Sequence, residues 1–156
     1  MLDDGALTRA FELAWAARSA GDHPFGALLL GDGEIVAEAV NRVNTDRDVT
    51  AHAETMLVRI LEGRDQLGRL RDGIVFASCE PCPMCVGAMF WAGARHIVYG
   101  LSSDRLMTLS AAPGMDRLGF VITAPEIGGR ATPAMHIVGP QREDEAAEAH
   151  VGFWFR

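Results

Sequence analysis

From Leu7 through Phe11, Ala14, Trp15 and Arg18 the residues fall at helical spacing, with Asp3 or Asp4 placed to cap the start and Gly21 to end it. A first helix is expected over roughly residues 4 to 20. The pattern then changes. "PFGALLL" is a continuous apolar run, "GDG" at 31–33 is a hairpin turn signal, and "EIVAEAVN" partly alternates, so these runs predict an antiparallel strand pair. "HAETMLVRILEG" returns to helical spacing and ends at Gly63, and "GRDQLGRLRDG" reads as a polar connection. "GIVFAS" at 73–78 is β-branched and aromatic, "PCPMCVGAMFWAG" has helical length with Pro83 suited to a first turn, and "HIVYG" is a further buried-looking strand. Strand, helix and strand in that order predict a parallel pair with a right-handed crossover.

Beyond residue 100 the period weakens. "SSDRLMTLS" is compatible with a short helix, while "AAPGMDRLG" and "APEIGGRATP" are rich in Gly and Pro; a segment as long as 101–132 without a clear period is often a substrate loop. "AMHIV" at 134–138 suits a last strand, and "REDEAAEAHVGFWF" suits a closing helix that ends in aromatics. No internal repeat or linker interrupts the chain, and 156 residues suit one domain, 1–156, with a full core.

Composition narrows the class. No apolar run approaches the ~20 residues of a membrane span, and the N-terminus lacks the basic start and apolar middle of a signal peptide, so a cytoplasmic address is expected. The net charge of −7 and pI of about 5.1 repel a phosphate backbone, because the Arg groups in "GRDQLGRLRDG" and "AGARH" are interleaved with acids or few. A small-molecule partner is favoured over nucleic acid.

Cys79, Cys82 and Cys85 sit within seven positions, which in a reducing compartment reads as metal or redox chemistry. Cys82 and Cys85, three apart at a helix start, lie on one side and can share one ion, with the helix N-terminus favouring their thiolates. Taken alone, the pair suits a thioredoxin-like redox couple equally well. His52 narrows the choice, because it opens another helix and can converge with the Cys pair between two helix ends. His52 and Glu54, two residues apart, point to opposite flanks of a helix. They can serve one object if it lies off the open end: a zinc ion held by His52, carrying a molecule that Glu54 reaches. Three protein ligands leave a fourth position open, the mark of a catalytic zinc. One zinc per chain, with a bound water or hydroxide, is the expected cofactor, and Glu54 the group that moves the proton.

H-x-E followed by P-C-x-x-C, here His52-Ala53-Glu54 and Pro81-Cys82-Pro83-Met84-Cys85, resembles the zinc nucleobase-deaminase signature. The resemblance is to the cytidine deaminase-like superfamily, and within it to the branch of guanine deaminases, tRNA adenosine deaminases and fungal cytosine deaminases. It runs from the first helix to "HIVYG" and weakens beyond about residue 105. It implies an α/β fold, a three-layer α/β/α sandwich with a five-stranded mixed sheet, and a homodimer. It also implies hydrolytic deamination, in which Glu54 shuttles a proton to the ring nitrogen and then to the departing amine.

"DHPFGALLL" resembles the strand that opens the base pocket of guanine deaminases, with Phe25 against the base. Asn41 stands eleven positions before His52, like the family Asn that hydrogen-bonds the base. "SCEPCPMC" and the Trp91 of "GAMFWAGA" also look like guanine deaminases. The resemblance thus implies Phe25, Asn41, Ala53 and Trp91 as base contacts, with Asp116 as candidate reader of the guanine edge. The residues alone read Phe25 and Trp91 as core and Asp116 as a solvated turn. The family "DPTAHAE" is here "DVTAHAE", and the acids that read guanine have no clear match. Phe153, Trp154 and Phe155 either cover the pocket, as in fungal cytosine deaminases, or dock the chain end, docking being expected for at least two. Guanine converted to xanthine is the foremost reading. Cytosine, isocytosine and an aminated triazine or pterin are the alternatives. A tRNA adenosine deaminase is disfavoured by the charge, and a non-catalytic zinc module has no use for Glu54. Cys79, the other histidines (His23, His96, His136, His150) and Met56, Met84, Met89 and Met107 are expected to be structural, with some of the histidines exposed.

Overall fold

The structure, a computed structural model, describes residues 4–155; the possible cap Asp3 lies outside them. Helix α1 (Asp4–Ser19) stops before Gly21, whose φ of +89° suits glycine. Strands β1 (Gly26–Gly31) and β2 (Glu34–Val40) form the expected hairpin, and Asp32 and Gly33 both take positive φ (54° and 80°), matching the strand twist. The chain continues through α2 (Val43–Asp46), α3 (Ala53–Gly63), a 3-10 turn (Leu67–Leu70), β3 (Ile74–Cys79), α4 (Pro83–Ala92) and β4 (His96–Leu101). It ends with α5 (Ser103–Ser110), α6 (Ala124–Gly129), β5 (His136–Val138) and α7 (Glu143–Glu148).

The five strands lie in the order β2-β1-β3-β4-β5, with β1 antiparallel to both neighbours and β3, β4 and β5 parallel. This is the mixed sheet that the resemblance implies. Successive strand residues point to opposite faces, so the central strands must be apolar at every position if helices cover both sides. Leu28, Phe76 and Val98 stand in one row across the sheet and pack with Leu7, Phe11 and Ala146 of α1 and α7. Leu29, Val75, Ile97 and Ile137 stand in the next row and pack with Leu57, Leu61 and Met89 of α3 and α4. Two apolar layers on one sheet make the α/β/α sandwich.

Glycine permits the closest approach between layers. A Cβ on Gly26 would lie 2.4 Å from Leu13 Cβ and 2.6 Å from the Ala10 carbonyl oxygen, so α1 could not rest on β1 with a larger residue there.

Three short elements escape the periodicity: α2, the 3-10 turn and α6. Helix α6 is held by a capping box, in which Thr123 Oγ1 accepts from the Glu126 amide while the Glu126 carboxylate accepts from the Thr123 amide. The closing helix is shorter than expected. It ends at Glu148, and the chain then turns, with Gly152 at φ +68°.

Candidate active site

β3 and β2 end on the same side of the sheet, near the starts of α4 and α3, and those two helix starts meet. His52 is the N-cap of α3 and Cys82 the N-cap of α4, both with extended backbone (φ/ψ −71°/158° and −69°/166°) and neither making a side-chain cap hydrogen bond. N-cap positions favour Ser, Thr, Asp or Asn, whose oxygens satisfy free helix amides. Here the N-cap side chains turn toward each other instead. Pro83 starts α4, as expected, and Cys85 follows one turn after Cys82.

His52 Nδ1 lies 3.7 Å from Cys82 Sγ and 3.5 Å from Cys85 Sγ, and the two sulfurs are 3.6 Å apart. Tetrahedral zinc with ordinary Zn–S and Zn–N bonds separates two sulfurs by ~3.8 Å and a sulfur from a nitrogen by ~3.6 Å. The triangle fits that ion without rearrangement. Among the described residues this is the only cluster of three or more His, Cys, Asp or Glu ligand atoms so close together. Its chemistry also asks for a cation. The hydrogen bond from Cys85, with a further contribution from His52, pulls the Cys82 thiol down to about 4 against its burial. The same bond to Cys82, with burial and the nearby Glu54, pushes the Cys85 thiol up, and the Cys82 contact raises His52. A bound cation would favour the thiolate of Cys85 and the neutral ring of His52, the forms that ligate a metal.

The loop before His52 keeps its shape without the family proline. Asp48 Oδ1 accepts from the Thr50 amide (2.8 Å) and hydroxyl (2.6 Å), Arg59 donates to Asp48 and to Thr50, and Val49 in the proline's place is exposed. Thr55 Oγ1 donates to the His52 carbonyl (2.9 Å), which holds the ligand's backbone in place.

Glu54, in the first turn of α3, is buried, and that burial raises its carboxyl above the ordinary range. It lines a cavity with His52 and Cys82, so the metal triangle and a proton carrier share one space. Phe25 lines it too. The remaining wall is made by Glu80, Pro81, Ser103 and an apolar roof of Leu106, Met107, Leu118, Phe120 and Ile122. The loop expected to meet substrate is that roof.

The other sequence-derived base contacts are not on the cavity wall. Asn41 is buried, with Oδ1 accepting from the Val43 amide, and meets Phe25 through its own amide, which donates to the Phe25 carbonyl. Ala53 is fully buried at the first position of α3. Trp91 is 85% exposed. It lies six residues beyond Cys85, which turns it roughly 120° from the ligand and carries it ~9 Å further along α4. Asp116 is exposed in the turn after Ala112 and does not line the cavity. The sequence reading missed Glu80, Ser103 and the individual roof residues. A Glu directly after a buried strand, two positions before Cys82, was the available signal.

The chain end docks. Trp154 lies 5.4 Å from His23 and 6.2 Å from Phe25, Phe153 packs edge-on to His23, and Phe155 is exposed. His150 is 1% exposed, sits 5.1 Å from Phe25, and neither ring nitrogen has a hydrogen-bond partner. Cys79 is buried, as expected, while His96 and His136 stack on each other at the exposed strand starts.

Residues 2–101 match the cytidine and deoxycytidylate deaminase zinc-binding region. A probable cytosine deaminase of Schizosaccharomyces pombe is 38% identical over 151 residues, 95% of this chain and 90% of that protein. A guanine deaminase of Bacillus subtilis is 46% identical over 96 residues, 60% of each chain. A solved structure from work on A-to-I editing by tRNA:A34 deaminases at the wobble position of transfer RNA superposes with a TM-score of 0.72 at 29% identity, covering 93% of this chain and 98% of its own.

Cys82→Ala removes one corner of the triangle, and purified protein should then hold less than a tenth of the zinc of wild type, which metal analysis by mass spectrometry checks (~100-fold or more weaker binding). His150 gives a pH test. Burial lowers its pKa to about 4, so the folded state resists a proton that the unfolded chain takes up near its ordinary ~6.5. Its contribution to stability is therefore lost as pH falls from about 6.5 to about 4. His150→Phe should lose less Tm than wild type between pH 7.5 and 5; equal losses would contradict the burial account.

Proposed function

The chain belongs to the zinc-dependent cytidine and deoxycytidylate deaminase family, and from that membership we propose that its substrate is a free nucleobase, cytosine first. The observation that carries the free-base reading is the cavity wall: among its residues no Arg or Lys accompanies His52, Glu54 and Glu80. A nucleotide or RNA phosphate would find no counter-charge there, and the net charge of −7 opposes its approach.

His52, Cys82 and Cys85 would hold zinc, which when bound would supply an acidified water for hydrolysis at the amine-bearing carbon. The chain's own residues do the rest. Glu54, whose burial raises its carboxyl, takes one proton from the attacking water and passes it to the ring nitrogen, then takes the remaining proton of the added hydroxyl and passes it to the amine, which leaves as ammonia while the ring carbon becomes a carbonyl. Phe25 offers a flat apolar face to the ring, while half-buried Leu106 and Met107 add apolar wall to the same cavity.

Two observations support cytosine over guanine. Asp116, the candidate reader of the guanine edge, lies off the wall, and the roof is apolar. The relative that spans 95% of this chain necessarily aligns with most of 103–122, where the roof lies, and it is named a probable cytosine deaminase. Guanine is the second reading, favoured by the 46% identity of the shorter match. A cytoplasmic homodimer belongs to the same proposal. Three free cysteines suit a reducing compartment, and Trp91, 85% exposed beside Phe90, offers an apolar face for a second copy.

Ammonia release from cytosine, guanine, isocytosine, ammeline and an adenosine-bearing tRNA stem-loop tests the substrate. Cytosine should be fastest; guanine alone would reverse the order, and turnover of the stem-loop would overturn the free-base reading. Glu54→Gln should retain zinc and lose kcat by about 10²–10⁴-fold, and native turnover by this variant would remove Glu54 from the proton path. Light scattering should give twice 16.8 kDa, falling to one chain in Trp91→Arg; a wild-type monomer would contradict the dimer.

A further inference from the structure

We propose that Glu80 positions the roof of the base-binding cavity, its carboxylate clasping both ends of the segment that forms the roof. Glu80 is 7% exposed and follows the last residue of β3. Its Oε2 accepts from the amide of Ser103, the first residue of α5, at 2.8 Å. Its Oε1 accepts from the amide of Ala124, the first residue of α6, also at 2.8 Å. Between those two amides the chain runs out and back through Leu106, Met107, Leu118, Phe120 and Ile122, all on the cavity wall. One side chain thus gathers the departure and the return of the whole excursion.

The chemistry favours a carboxylate. Each amide belongs to a helix start, where free N–H groups and the peptide dipoles attract an anion, and charge-assisted bonds of this kind exceed neutral ones in strength. Glu80 is itself anchored, because its amide donates to the Leu101 carbonyl at 2.7 Å. The other strap is weaker. Arg117 donates to the Asp104 carbonyl and carboxylate at 2.7 and 2.6 Å, but both side chains are exposed, where such pairs contribute little. The outgoing and returning limbs of the roof lie in contact: a Cβ on Gly119 would lie 2.5 Å from Met107 Sδ, the far end of a flexible side chain. Small displacement of either end would therefore move the surface above the base.

Glu80 lines the same cavity as Glu54, yet its two oxygens already accept backbone N–H groups, which makes it a positioning residue and not a proton carrier. The inference rests on the free-base reading for its kinetic readout alone.

Glu80→Gln keeps the shape but offers one oxygen to two donors. With zinc content unchanged, KM for the base should rise about tenfold while kcat stays within roughly twofold, and tryptic cleavage at Arg117 should quicken about tenfold. A lowered kcat with unchanged KM would place Glu80 in the chemistry and overturn the proposal, as would unaltered cleavage at Arg117. Should Glu80→Gln fail to fold, Ser103→Pro deletes one N–H and leaves the carboxylate intact, with Ser103→Ala as its reference. Proline suits a first helical position, and Ser102 is extended at φ −72° and ψ 151°. Ser103→Pro should show the same faster cleavage and raised KM, and parity with Ser103→Ala would overturn the clasp. If wild type deaminates no free base, the substrate reading fails, and cleavage at Arg117 still decides the role of Glu80.

Discussion

Two helices begin at one point, and each gives up its N-cap side chain to do so. A Ser or Asp at the place of His52 or Cys82 would satisfy free amides and stabilise its helix by about 1 kcal/mol. The chain forgoes that stabilisation at both starts. What it gains is a triangle of two sulfurs and a nitrogen, 3.5–3.7 Å apart, at the positive ends of two helix dipoles. The sheet makes this possible. β3 and β4 are parallel, so α4 must start again at the end where β3 stops, beside the start of α3.

Two buried carboxylates then face one cavity with different duties, and their surroundings separate them. Glu54 is desolvated, and burial raises it. Glu80 receives an amide on each oxygen. In the proposed function the first exchanges a proton, while the second holds backbone. The same contrast recurs at the aromatic end of the cavity. Phe25 presents a face to the substrate space, while His150 and Trp154 support it from behind with ring nitrogens that meet no partner.

Most of the fold was legible because its signals are long or chemically narrow. The first helix, the hairpin, the parallel pair and the metal triangle each rest on periodicity or on a spacing of His and Cys that few other purposes need. The short helices α2 and α6 were not, since four or six residues complete too little of a period; α6 exists through one capping box. The cavity wall was the least legible. Trp91 shares a helix with the ligands, but its angle around that helix carries it outward, and Asp116 lies close in sequence to the roof residues without lining the cavity. Glu80 escaped because its role depends on two amides far along the chain, at 103 and 124, and no local pattern encodes that meeting.

The central claim is that His52, Cys82 and Cys85 jointly hold one zinc ion in a site open to the cavity. X-ray absorption at the zinc edge of the purified protein tests it most directly. Two sulfurs and one imidazole nitrogen per zinc are expected, with the imidazole signal lost in His52→Ala. A zinc bound by four sulfurs, or a metal-free protein with Cys82 and Cys85 joined as a disulfide, would contradict the account.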